Sequence, residues 1–102
     1  MYGYEHAGAM LRAFRKQTKL SQKALAAKTQ LADASGIGIS ECILSRIEHG
    51  QRDLSPKYLS LIVAAAVFSP HQLRQLRDQA IVDMVRRHFR DDLSPCFSAE
   101  SL

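Results

Sequence analysis

Four neighbouring side chains in residues 41–46 carry groups that can recognise a hydrogen-bonding surface. Glu41 supplies a carboxylate acceptor, Ser45 a hydroxyl that donates and accepts, and Arg46 a planar guanidinium donor. In the major groove of DNA, a guanidinium pairs with both acceptors of guanine and a carboxylate accepts from the amino group of cytosine. The thiol of Cys42 can touch a thymine methyl group. The segment is therefore a candidate for reading base edges.

The sequence offers no comparable set of residues for catalysis or metal binding. No Ser/His/Asp arrangement and no phosphate-binding glycine loop is discernible. His49, His71 and His88 lack the spacing that places metal ligands on one face of a helix, and Cys42 and Cys96 do not form a Cys-x-x-Cys pair. We therefore expect a protein that is not an enzyme and that needs no cofactor and no metal ion.

The charge balance favours a polyanionic partner. The 102 residues contain 14 Lys and Arg against 10 Asp and Glu, a formal net charge of +4, which attracts polyanions at long range. The length suits one domain. The longest apolar run, Leu59 to Phe68, is shorter than the roughly 20 residues that cross a bilayer, and no secretory signal precedes it. We expect a cytoplasmic protein without a membrane partner.

Serine and proline mark the starts of the predicted helices. Ser21, Ser40, Ser55 and Ser69 each offer a hydroxyl to the free amides of a first helical turn, and a proline follows the last two directly. The glycines of residues 36–38 predict a turn. No segment is typical of a strand, so the predicted fold class is all-α. Five helices are expected, from about Ala9, from Ser21 to about Ala34, from Glu41 to Glu48, from Pro56 to about Phe68, and from Pro70 to about Arg90.

These elements divide the chain into four parts. Residues 1–8 have no hydrophobic period and predict a flexible N-terminal arm. Residues 9–68 contain the first four helices. Residues 69–92 contain the fifth helix, and residues 93–102, which include Pro95 and several serines, predict a frayed tail.

Three segments in order resemble the lambda-repressor-like, xenobiotic-response-element family of helix-turn-helix proteins. They are GAMLRAFRKQTKLSQ over residues 8–22, LSRIEHG over residues 44–50 and PKYLSLIVAAAVF over residues 56–68. The resemblance implies a helix-turn-helix DNA-binding domain over residues 9–68, with the fifth helix as a C-terminal extension. It also implies a transcriptional regulator that binds double-stranded DNA.

The resemblance assigns roles to individual residues. Glu41, Cys42 and Arg46 occupy its base-reading positions, and Arg15 and Glu48 correspond to an internal ion pair between the first and third helices. Phosphate contacts come from hydroxyls, amides and amines that flank a reading helix. The candidates for such contacts are Gln22, Ser40, Ser45, Arg52 and Lys57.

The chain departs from the family between Gln22 and Leu44, where it is longer than the usual spacing. In one alignment, Leu25 and Ala26 hold the family's Leu-Ala positions and the extra residues lengthen the second helix or its turn. In the other alignment, residues 31–32 hold the Leu-Ala positions and Gly36 holds the glycine that follows them, and a smaller insertion comes after Gly36. Lys19 also stands where the family commonly has glycine, which costs about 1 kcal/mol if the backbone there is left-handed.

The fourth and fifth helices have more apolar surface than one small core requires. Val63 and Ala66 stand where the family commonly has charged residues. The fifth helix carries a stripe that can pack within the chain or form a two-fold interface, and we favour the latter. This candidate dimer interface consists of Leu73, Leu76, Ile81, Met84, Val85 and Phe89.

The sequence thus predicts a homodimeric regulator, a repressor by analogy with the family, that binds a palindromic operator. Two copies are expected to hold their reading helices about 34 Å apart, one turn of DNA. The alternative is an antitoxin or controller-type subunit that binds a protein partner and regulates its own gene.

Overall fold

The computed structural model describes the backbone over residues 4–100 and the side chains over residues 4–89. Over this range the regular structure is helical, which confirms the predicted all-α class. In chain order the helices are α1 (Ala7–Gln17), α2 (Gln22–Ala32), α3 (Glu41–Glu48), α4 (Pro56–Ala65) and α5 (Pro70–Glu100). In this part of the chain, no helix combines the length and apolar character needed to cross a membrane.

Serine hydroxyls begin four of these helices, as predicted. The Oγ atoms of Ser21, Ser40 and Ser55 accept a hydrogen bond from the backbone amide three residues later, at 3.0, 3.2 and 3.4 Å. Ser69 accepts in the same way from Gln72 at 3.1 Å. Each hydroxyl satisfies an amide that has no carbonyl partner inside its helix, so these starts are readable from the sequence.

The start of α1 differs from the prediction. His6 Nδ1 accepts from the amide of Ala9 at 3.0 Å and caps the helix, and the amide of Ala7 donates to Asp83 Oδ2 at 2.7 Å. Tyr4 packs against the core. The predicted flexible arm over residues 1–8 is therefore wrong for residues 4–8, because a histidine cap and a distant aspartate hold them. Residues 1–3 lie outside the described part of the chain.

The core forms where α1 and α2 pack against α3 and where α5 closes against α1 and α4. α2 also packs against α4. Every helix, together with the loop before α3, contributes at least one large side chain that is fully buried. These side chains are Met10, Leu11, Leu25, Ile39, Leu44, Ile47, Ile62 and Leu76.

α5 has two apolar sides. One side carries Leu76 and Ala80, which are buried in the core, and Leu73, which is half-buried against it. The prediction that Leu76 lies at a dimer interface is therefore wrong, because this side chain packs within its own chain. The other side keeps large apolar side chains at 40–57% exposure. These are Ile81, Val82, Met84, Val85 and Phe89.

α5 extends to Glu100, past the end predicted near Arg90. Pro95 lies within it, although proline lacks the amide that bonds to a carbonyl four residues earlier. The predicted frayed tail over residues 93–102 is thus helical as far as residue 100. Residues 101–102 lie outside the described residues.

Two residues with side chains adopt the left-handed conformation. Lys19 (φ 61°) follows the C-terminal end of α1, at the position where the resembled family has glycine. Ala66 (φ 57°, ψ 36°) is exposed and caps the C-terminal end of α4. An L-residue pays about 1–2 kcal/mol for this conformation, so glycine suits both positions better.

Replacing Ala66 by glycine is expected to raise the free energy of unfolding by about 0.5–1 kcal/mol, because glycine removes the left-handed strain at the helix end. The matched control is Ala27→Gly, at an exposed position inside α2, which is expected to lower it by about the same amount. Urea unfolding followed by circular dichroism measures both. A loss of stability in Ala66→Gly would contradict the left-handed cap.

Candidate nucleic-acid interface

α3 has an inner side in the core and an outer side in solvent. Leu44 and Ile47 are fully buried. Glu41, Cys42 and Arg46, the three predicted base-reading residues, are exposed, and within the described residues their side chains form no hydrogen bond or ion pair. Three different polar groups are therefore presented on one short, anchored helix and remain available to a ligand.

Two of the predicted phosphate contacts are already used inside the protein. The hydroxyl of Ser40 accepts from the amide of Ile43 as the cap of α3. Gln22 is half-buried, and its Nε2 donates to Glu48 Oε1 at 3.0 Å. Ser40 and Gln22 therefore have fewer hydrogen-bonding groups left for a phosphate than the sequence implies.

The other predicted phosphate contacts lie around the second half of α3 and after it. Ser45 is half-buried, and its backbone carbonyl lies 2.7 Å from Nδ1 of His49. Arg52 and Lys57 are exposed. The guanidinium of Arg52 lies 5.4 Å from the centre of the Tyr58 ring, which orients it by a cation-π contact.

Arg15 and Glu48 form a buried ion pair between α1 and α3. Arg15 Nε and a terminal guanidinium nitrogen donate to the two carboxylate oxygens of Glu48 at 2.7 and 2.9 Å. The other terminal nitrogen donates to the carbonyl of Leu20 at 2.8 Å. The hydrogen bond to Glu48 raises the pKa of Arg15 above its ordinary value, although burial acts in the opposite direction. Together with Gln22, this network links α1, α2 and α3.

α1 and α3 also meet at Gly8. A Cβ atom on Gly8 would lie 1.7 Å from the carbonyl oxygen of Ile47, so only glycine allows this contact. Gly8 and Arg15 lie on the same face of α1, about two helical turns apart. α1 therefore holds the C-terminal end of α3 at two points.

The loop between α2 and α3 is held by Asp33 and Thr29. Asp33 accepts from the backbone amides of Ser35 and Gly38 at 3.0 and 2.8 Å. These bonds lower the pKa of Asp33, and the charge of the nearby Lys57 acts in the same direction. The hydroxyl of the fully buried Thr29 accepts from the amide of Ile39 at 2.9 Å. The N-terminal end of α3 is thus fixed as well.

The two Leu-Ala pairs of α2 differ in their packing. Leu25 and Ala26 are buried, whereas Leu31 is 88% exposed. The first pair therefore belongs to the core, and residues 33–40 connect α2 to α3. This connection is longer than the three or four residues typical of a helix-turn-helix turn.

Sequence reasoning missed the residues that position α3. Asp33, followed closely by Ser35 and glycines, carries the signal of a side chain that caps its own turn. The sequence therefore contains a signal for the role of Asp33. It contains none for Thr29, because that role depends on Ile39 returning to α2 across the loop. Among the described residues, no group of three or more His, Cys, Asp and Glu side chains is placed to hold a metal ion.

Replacing Arg15 by methionine is expected to lower the free energy of unfolding by about 3–5 kcal/mol, because Glu48 keeps a buried charge with only the Gln22 amide beside it. The double variant Arg15→Met with Glu48→Met is expected to lose less stability, because it leaves no buried charge unpaired. Urea unfolding measures each variant. Arg12→Met, at an exposed position on the same helix, is the control and is expected to change stability by less than about 0.5 kcal/mol. Equal losses for Arg12→Met and Arg15→Met would refute the structural role.

Comparison with known proteins does not identify the chain. No protein-family model, no curated protein and no solved structure matches it. The function must therefore be inferred from the residues and geometry of α3 and its surroundings.

Proposed function

We propose that this protein is a sequence-specific regulator of transcription that reads double-stranded DNA with α3. One observation carries the proposal. α3 is anchored by its inner side and by both ends, while Glu41, Cys42 and Arg46 are exposed and their side chains have no hydrogen-bond or ion-pair partner among the described residues. A reading helix needs this division, since base recognition requires polar groups held rigidly at the groove. The lambda-repressor-like fold suggested by the sequence is part of the same proposal.

The charges around α3 support a phosphate-rich ligand. Arg52 and Lys57 are exposed in and after the loop that follows α3, and the charge of Lys57 acts to lower the pKa of Asp33 in the loop before α3. Cations on the flanks of a reading helix contact the DNA backbone and fix its register. With the net charge of +4, they favour association with DNA.

The proposal includes a homodimer formed through the free apolar side of α5. Ile81, Val85 and Phe89 are 53%, 49% and 57% exposed. A continuous apolar patch of this kind on a small protein marks an interaction surface. A two-fold pair of α5 helices supplies the symmetry that a palindromic operator requires. Such a dimer represses transcription when its operator overlaps a promoter.

The antitoxin or controller-type subunit remains the second candidate, and the same apolar side of α5 favours it. A partner protein can cover this surface in place of a second copy. The two candidates predict different oligomeric states for the purified protein. A homodimer covers the apolar side of α5 with a second copy, whereas the controller-type subunit needs its partner protein to cover it.

Arg46→Ala is expected to weaken binding to the preferred DNA sequence by about 1–3 kcal/mol and to relax selectivity at one base pair. Lys57→Ala is expected to weaken binding to all sequences alike, because a phosphate contact carries no sequence information. Selection of bound fragments from random DNA identifies the preferred sequence, and fluorescence anisotropy titrations at several salt concentrations measure the affinities.

Arg12→Ala is the control, since it removes the same charge from an exposed position on α1. It is expected to leave sequence preference unchanged. Identical behaviour of Arg46→Ala and Lys57→Ala on every sequence would refute the assigned roles. Absence of salt-dependent DNA binding by the wild-type protein would refute the proposed function itself.

Val85→Glu is expected to convert a dimer into monomers, because it places a charge in the proposed interface on α5. Sedimentation equilibrium at micromolar concentration measures the mass. The matched control is Val63→Glu, at a position on α4 that is 47% exposed and outside the interface, and it is expected to stay dimeric. A monomeric wild-type protein contradicts the homodimer and favours the controller-type subunit.

A further inference from the structure

α5 turns a polar side toward the start of α1. The carboxylate of Asp83 accepts from the amide of Ala7 at 2.7 Å and from Gln79 Nε2 at 3.0 Å. Arg86 and Arg87 follow Asp83 by three and four residues, and side chains at this spacing share one face of a helix. Both arginines line a cavity together with Asp83, and Arg87 also lines a groove with Met84, Val85 and Phe89. The two arginines therefore lie beside the free apolar side of α5, between it and the side that faces α1.

These two arginines share their surroundings with the predicted phosphate contacts. A cavity of about 180 Å³ is lined in part by Arg52, Arg86 and Arg87. A neighbouring groove of about 420 Å³ is lined in part by Arg52, Lys57 and Arg87. The four cations thus form one continuous surface, contributed by the α3–α4 loop, the first turn of α4 and α5. We call Arg52, Lys57, Arg86 and Arg87 the basic surface.

Three acidic residues also line the smaller cavity, and two of them are already engaged. Asp83 is held by the amide of Ala7. Asp53 Oδ2 lies 2.8 Å from a terminal nitrogen of Arg87. Glu5 is exposed beside the cavity. The acids therefore position the elements and neutralise part of the charge.

The basic surface together with its acids has a small positive charge. The smaller cavity, with three arginines and three acidic residues, is formally neutral, and Lys57 in the neighbouring groove brings the total to +1. Among the described residues, Arg52, Lys57 and Arg86 form no salt bridge. The side chain of Arg87 is 56% exposed despite its contact with Asp53, so some of its donors face solvent. Guanidinium groups bind phosphate oxygens through two parallel hydrogen bonds, which an ammonium group does not match. The chemistry of the surface suits adjacent phosphates of a nucleic-acid backbone.

We propose that Arg86 and Arg87 contact the DNA backbone together with Arg52 and Lys57, so that α5 is part of the DNA interface as well as of the core. This inference rests on the proposed function, because it takes α3 as the reading helix. Arg52 lies four residues after the end of α3. The basic surface adjoins the C-terminal end of α3, since Gly50 and Arg52 both line the smaller cavity, and it extends onto a helix that lies outside the segments resembling the known family.

A purely structural role for these arginines predicts a different result from a role in DNA binding. The exposed pair of Arg87 and Asp53 contributes at most about 1 kcal/mol to stability, and Arg86 forms no salt bridge within residues 4–89. Loss of a phosphate contact instead changes the salt dependence of DNA binding. The slope of log K against log salt concentration is negative, and each lost contact reduces its magnitude by about 0.9.

The experiment uses the full chain and a random-sequence 20-base-pair duplex, so that no operator needs to be known. Binding is titrated by fluorescence anisotropy between about 50 and 200 mM salt, the range over which phosphate contacts change affinity strongly. The variants are Arg86→Ala, Arg86→Ala with Arg87→Ala, and Arg86→Lys. The control is Arg74→Ala, which removes an exposed charge from the same helix outside both cavities.

The magnitude of the slope is expected to fall by about 0.9 in Arg86→Ala and by up to about twice that in the double variant. Arg74→Ala is expected to keep the wild-type slope, and Arg86→Lys to restore most of it. Urea unfolding of each variant reports on the fold. Wild-type slopes in both alanine variants overturn the role of α5 and leave the proposed function standing, whereas absence of salt-dependent binding by the wild type overturns both.

Discussion

The buried pair of Arg15 and Glu48 determines how α3 is held. Taking two charges out of water costs several kcal/mol for each ion, so such a pair adds little net stability. The pair instead disfavours other arrangements of α1 and α3, because any arrangement that separates α1 from the end of α3 leaves a buried charge without its partner. The amide of Gln22 and the carbonyl of Leu20 satisfy the remaining groups. The orientation of α3 relative to α1 and α2 is therefore set by hydrogen-bond geometry as well as by apolar packing.

The rest of the candidate interface follows from this constraint. Gly8 brings α1 against the carbonyl of Ile47, while Thr29 secures the residue before the cap of α3. With both ends and the inner side engaged, the outer side of α3 is what remains for a ligand. Because the backbone of α3 is already held, less entropy would be lost when a ligand binds this side. For the proposed contact of Arg46 with guanine, a fixed backbone is favourable because a bidentate contact tolerates little misalignment.

The sequence predicted the features that depend on local chemistry. Serine caps, prolines at first helical positions and the bounds of α3 agree with the structure, since each arises from a few neighbouring residues. It failed at the start of α1, where the cap is His6, a residue type that is not preferred at this position, and where the distant Asp83 holds the first amide. The sequence could not show that Leu76 is buried and Val85 is exposed. Both lie on a helix with two apolar sides, and tertiary packing decides which side faces the core.

The contacts of α1 connect the two ends of the proposed mechanism. α1 touches α3 through Gly8 and Arg15, and its first amide bonds to Asp83 of α5. A dimer joined through the free side of α5 would therefore transmit its geometry to α3 through one short, rigid helix. The distance between two reading helices then depends on how α5 sits on α1. In the proposed dimer, a change at Asp83 would alter that distance without touching Glu41, Cys42 or Arg46, so half-site spacing and base preference would be separable.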